Sequence, residues 1–104
     1  MQQQNRYVVI FRAKLRALDA EYSAMAARMR ELALTQFKCI EFVSAAEGDQ
    51  EIALSYWHDE ADIKAWKQHA DHVLAQQLGR ARWYDSYSVQ VAHITREYSS
   101  TMPS

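Results

Sequence analysis

One domain is all that 104 residues will hold, and 49% hydrophobic content with two glycines and one proline marks a compact fold, not a disordered chain. A formal net charge of −1 lacks the cationic excess that nucleic-acid binding requires. The single cysteine, the polar start Met1–Arg6 and an apolar run at Tyr7–Phe11 too short to cross a bilayer lead us to expect a cytoplasmic protein with neither a disulfide nor a membrane span.

In chain order, residues 7 to 16 read as a strand. Tyr7, Val9 and Phe11 point to one face, Val8 and Ile10 to the other, and Arg12, Lys14 and Arg16 share a face. Asp19 is placed to cap a helix in which Leu18, Tyr22, Met25, Met29 and Leu32 recur at helical spacing. Two strands follow, at about 37 to 46 and 51 to 58, joined across Glu47-Gly48-Asp49-Gln50 as a hairpin. A second helix opens at Asp59 or Glu60, presents Ile63, Trp66, Ala70, Val73, Leu74 and Gln77 along one side, breaks or bends near His69 and ends at Gly79. A long last strand is expected from Tyr84 to Tyr98, followed by a frayed tail at 99–104.

The order β-α-β-β-α-β is that of an α+β, ferredoxin-like domain: a four-stranded antiparallel sheet with both helices on one face, core about 6–98. Helices can cover only one side of such a sheet. The apolar residues on the other side predict a homodimer with sheets packed face to face.

Gly48 and Gly79 alone cannot build a phosphate-binding loop, and CxxC, HExxH and GxSxG are all missing. Nucleotide cofactors and serine-hydrolase chemistry are thereby disfavoured. His69 and His72 have a spacing that metal ligands use, with a third ligand among His58, Asp59 and Asp62, but exposed or capping histidines fit the pattern better, so no metal site is expected.

Chemistry is expected between positions 57 and 83, which hold all three tryptophans and three of the four histidines. Wide rings with a few polar groups are what a pocket for a flat organic molecule is made of. Trp66 is either the wall of such a pocket or a core ring. His69 and His72 follow it by one and nearly two turns, and an imidazole takes up a proton near neutrality. Trp57 closes a pocket or packs the domain, whereas packing or a dimer contact is the better reading of Trp83 and Tyr87. Arg80 and Arg82, with Arg12, either meet an acidic group on a ligand or form a solvated rim.

The string Tyr56-Trp57-His58-Asp59-Glu60-Ala61, then Ile63-Lys64-Ala65-Trp66, His69-Ala70, His72, Ala75-Gln76, Gly79-Arg80, Trp83-Tyr84 and Val91…Arg96-Glu97-Tyr98 resembles the antibiotic biosynthesis monooxygenase (ABM) domain family. The resemblance runs from about Tyr7 to Tyr98 and implies a dimeric α+β barrel. It also implies a cofactor-independent monooxygenase for a small aromatic, quinol or polyketide-like substrate. Trp66, Asp62, Trp57, Phe11, Gln76 and Arg80 would surround the ligand, with His72, or else His69, as base. Asp62 stands where such relatives carry Asn.

Two other functions remain open. One is a dimeric binding or stress module that sequesters an aromatic without chemistry. The other is a haem-degrading monooxygenase. Against haem, Gln76 occupies the position of the family's haem-ligating His, and the only Asn, Asn5, precedes the strand that should contain it.

Overall fold

The computed structural model describes residues 6–16, 19–76 and 83–103, and between 72 and 76 the backbone alone. The Val- and Ile-rich start forms β1 (Tyr7–Leu15), the pairing partner of both β3 (Gln50–Trp57) and β4 (Tyr84–His93), while β2 (Glu41–Glu47) pairs with β3 at the edge. The sheet is antiparallel throughout, in the order β2-β3-β1-β4.

Helices α1 (Ala20–Gln36) and α2 (Glu60–Gln76) both pack on the β1 face that carries Val9, Phe11, Ala13 and Leu15, so the expected ferredoxin-like α+β fold is the observed one. The other face carries Val8, Ile10, Val43, Ile52, Leu54 and Tyr56. Val43 and Ile52 there are 46% and 45% exposed.

Capping starts α1 as the sequence suggests. The Asp19 carboxylate accepts the Tyr22 backbone N–H at 2.7 Å, satisfying one of the donors a helix leaves unpaired at its N-terminus. Its second oxygen accepts the Trp83 indole N–H at 3.3 Å, tying the helix start to the entrance of β4. Tyr22, Met25, Met29 and Ala33 form the buried stripe of α1.

Three boundaries differ from expectation. The third element begins at Glu41, not 37, because the chain is still closing α1: Lys38 takes a left-handed φ of 67° and the Cys39 N–H reaches back to the Ala33 carbonyl at 3.0 Å. The second helix runs unbroken through His69, since that stretch holds no Gly or Pro to interrupt its ladder. The last strand ends at His93 instead of Tyr98 because its partner β1 starts at Tyr7, and the final rung is the Ile94 N–H to the Arg6 carbonyl at 2.9 Å. Beyond it the chain is irregular, with Arg6 donating to both Glu97 carboxylate oxygens at 2.9 and 2.7 Å.

Gly48, with φ 61°, sits at the first central position of the two-residue β2–β3 turn, where a primed turn needs a positive φ. The Asp49 carbonyl of that turn accepts the Leu15 N–H at 2.8 Å, fixing the hairpin against the end of β1.

Candidate functional site

Side chains alternate along a strand, so the registers place the helix-facing residues in transverse rows across the sheet. One row runs Phe42, Ser55, Val9, Val91, and the next runs Ser44, Ala53, Phe11, Val89. A third runs Ala46, Glu51, Ala13, Tyr87. On β2 and β3 the middle of this floor is small: Ser44, Ala53 and Ser55. Above it α1 offers Met25, Ala26 and Met29, and α2 offers Ile63, Trp66 and Ala70. Small residues on both surfaces leave the layers unable to close on one another.

The result is a mostly apolar cavity of about 410 Å³ between sheet and helices, within the size range of small-molecule sites. Tyr87, Val89 and Val91 line it while remaining 43%, 36% and 46% exposed, which puts the mouth along the β4 edge.

Trp66 forms part of the wall. Its indole N–H donates to the Met29 carbonyl at 3.1 Å, and its ring lies 5.6 Å from Trp57 and 6.0 Å, edge-on, from Phe42. Phe11 lines the cavity from the sheet and stacks with Tyr87, ring centroids 6.1 Å apart.

Trp57 belongs to the row beyond the floor and does not line the cavity. It is 0% exposed, donates its indole N–H to the buried Ser55 hydroxyl at 2.8 Å and backs Trp66 from behind. Neither Asp62 nor His69 is among the lining residues. His69 faces the end of α1, its ring 5.7 Å from Phe37, and its Nε2 is buried without a hydrogen-bond partner among the described residues. The side chains of His72 and Gln76, and the whole of Arg80 and Arg82, lie outside the described residues.

Trp83 is a packing residue, 0% exposed, with its ring edge-on to Tyr22 at 5.4 Å. Tyr87, by contrast, belongs to the cavity. Among the described residues no group of three or more His, Cys, Asp or Glu is placed to hold a metal ion.

The polar end of the cavity was not singled out from the sequence. The Tyr22 hydroxyl donates to the Glu51 carboxylate, and Tyr84 lies beside Tyr22 with ring centroids 5.9 Å apart and its hydroxyl in the same hydrogen-bonded group. Burial, and then the bond to Glu51, pushes the Tyr22 phenol far above its ordinary value. Burial likewise raises that of Tyr84, against a lowering from its hydrogen bond with Tyr22. Both phenols are therefore neutral donors at physiological pH. A signal was available: counting back by two from an inward Trp57 turns Ser55, Ala53 and Glu51 inward as well, and an ionisable residue on an inward register calls for an explanation.

Cys39 is buried, and burial raises its thiol pKa in spite of contacts to the Glu41 and Tyr56 carbonyls at 3.2 and 3.5 Å. That makes it a structural thiol and not a nucleophile.

No family model matches the chain. The uncharacterized protein YqjZ of Bacillus subtilis is 39% identical over 93 residues, covering 88% of this chain and 81% of YqjZ. Among solved structures, an Asn-to-Ala variant of SnoaB, a cofactor-independent oxygenase from Streptomyces nogalater, superposes with a TM-score of 0.73 at 12% identity, covering 91% of this chain and 98% of SnoaB. A candidate antibiotic biosynthesis monooxygenase from Chloroflexus aurantiacus gives 0.54 at 19% identity, covering 84% and 92% of the two chains. A dimeric ferredoxin-like protein from an uncultured marine organism gives 0.59 at 9% identity, covering 90% and 99%. Identities this low establish shared architecture, and they do so over nearly the whole of each chain. The chain thus belongs to the same family as YqjZ and has the ferredoxin-like fold shared by these structures.

Proposed function

We propose that the protein is a homodimeric, cofactor-independent monooxygenase acting on a small hydroxylated aromatic or quinol. The observation that carries this reading is the cavity of about 410 Å³ with Trp66 in its wall and a mostly apolar lining. The architecture shared with SnoaB, itself a cofactor-independent oxygenase, supports it.

The chemistry asks little of the protein. A deprotonated, electron-rich aromatic gives one electron to dioxygen, and the radical pair combines to a peroxide anion, which takes back the proton held by the base to become a hydroperoxide. Loss of water then leaves a quinone carbonyl. The protein must desolvate the substrate, orient it and take its proton. Trp66 and Phe11 hold the ring plane. His72, six residues along α2 from Trp66, is the proposed base. The second sheet face, with Val43 and Ile52 exposed, is the proposed dimer surface, and the dimeric state of one structural neighbour supports it. A monomer in light scattering at micromolar concentration would rule that out.

Oxygen uptake by chelator-treated protein against anthrones, naphthoquinols and catechols tests the reaction. Uptake above the uncatalysed rate, lost in Trp66→Ala, is the expected result. Tight binding without uptake would instead make the protein a sequestering module. One observation favours that second reading: the His69 ring turns to Phe37 and away from the cavity.

A further inference from the structure

The cavity has one ionisable acceptor built into its floor. Glu51 lies in the inward row between Ala46 and Ala13, so its neighbours on either strand are methyl groups that neither pair with it nor crowd it. One carboxylate oxygen, Oε2, receives the hydroxyl of Tyr22, a residue only 3% exposed and itself braced edge-on by Trp83 and Tyr84. This bond holds the carboxylate in the cavity, because swinging out would forfeit a charge-assisted hydrogen bond from a buried phenol. The other oxygen, Oε1, has no side-chain partner among the described residues.

A carboxylate accepts hydrogen bonds and donates none. Apolar surroundings strengthen what it accepts and sharpen its repulsion of a second negative charge. The cations of the lining do not offset this. Arg30 is exposed and lies about two turns along α1 from Tyr22, and Lys67 is paired with Asp71 at 2.9 Å.

We infer that Glu51, held in place by Tyr22, is the polar anchor of the cavity: it accepts a hydrogen bond from a hydroxyl or N–H group of a neutral or cationic aromatic ligand, and it turns away aromatic carboxylates. This rests on reading the cavity as an aromatic-ligand site, but not on any oxygen chemistry taking place there. Glu51 is thereby a specificity-determining residue. The ligand enters past Tyr87 and Val89 with its donor end leading and its ring body against Phe11 and Trp66.

The test is a calorimetric titration at neutral pH with four probes of one size: 2-naphthol, 2-methoxynaphthalene, 2-naphthoate and 2-naphthylmethylammonium. Wild-type protein should bind 2-naphthol roughly 10- to 100-fold tighter than its methyl ether, the range expected for a hydrogen bond to a charged group, and should bind 2-naphthoate weakest of all. Glu51→Gln keeps an acceptor for Tyr22 and should melt cooperatively, while the naphthoate penalty disappears and the ammonium probe weakens. Tyr22→Phe, which frees the carboxylate to move, should narrow the gap between naphthol and ether yet preserve the exclusion of naphthoate. An unchanged order of affinities in a folded Glu51→Gln protein would overturn the assignment. So would wild-type protein that ranks the four probes equally or binds none of them. Discrimination that persists where no substrate consumes oxygen supports the anchor and removes the monooxygenase, so the two ideas fail separately.

Discussion

At one end of the cavity Trp66 leans on Trp57 and Phe42, ring against ring, and its only polar atom is satisfied by the Met29 carbonyl. At the other end the buried Tyr22 gives its hydroxyl to Glu51 beneath Tyr84, a half-buried carboxylate set into an apolar floor. The first end is conspicuous in the sequence because tryptophan is rare. Even so, two of the three tryptophans, Trp57 and Trp83, are wholly buried framework. The second end uses ordinary residues, yet it is where a ligand would meet a charge. Conspicuous residues mark where a domain is stiff, and selectivity sits where an ionisable group has been turned inward.

The contrast is most exposed at the paired tryptophans. Trp57→Ala removes a fully buried ring and leaves the Ser55 hydroxyl without its donor, so a loss of about 3–5 kcal/mol in urea denaturation is expected. Trp66→Ala, partly exposed at a cavity wall, should cost about 1–3 kcal/mol and abolish ligand binding. A larger cost at Trp66 than at Trp57 would reverse the assignment of wall and framework.

Alkali should act on the polar end next. A tyrosine in the unfolded chain ionises near 10, whereas Tyr22 in the folded protein keeps its proton to higher pH. Its contribution is therefore complete below about 10 and is lost as the pH rises further. Tyr84 shifts in the same direction, and so does Cys39, whose decline begins earlier because an unfolded thiol ionises near 9. Urea midpoints measured against pH should fall above this range. Tyr22→Phe should lower stability at neutral pH by about 1–2 kcal/mol and flatten the alkaline fall.

Two smaller effects sharpen the picture. His69→Phe removes a buried nitrogen that has no partner among the described residues and keeps a ring against Phe37, so stability should stay level or rise by up to about 1 kcal/mol with ligand affinity intact. Loss of affinity in that variant would return His69 to the site. Lys38→Gly relieves a side chain from a left-handed backbone and should raise stability by about 0.5–1 kcal/mol, read as a higher melting temperature.

The order of elements along the chain, the Asp19 cap and the Gly48 turn were legible in the sequence because each rests on local chemistry: hydrophobic periodicity, a side-chain acceptor ahead of a helix, a glycine with positive φ. The end of β4 was not, because Ile94, Thr95 and Tyr98 are strand-forming residues that could continue it and only the length of its partner strand stops it. Glu51 went unread for a related reason. Its position beside a turn looks solvent-exposed until Trp57, six residues later, is known to face inward. His69 and Asp62 drew attention through their spacing from Trp66, but which side of α2 meets the floor depends on how the helix lies across the sheet, and spacing alone does not decide that.

Cys39, the single cysteine of the chain, sits 7% exposed beside Ala33 and Trp57 in one of the two core clusters. A thiol in that position cannot meet a bulky maleimide until the end of α1 lifts away from the sheet. Its labelling rate thus counts openings of the native molecule, with no residue changed. Compared with and without an aromatic ligand in the cavity, that rate would tell whether filling the space beneath the helices also slows their departure from the sheet.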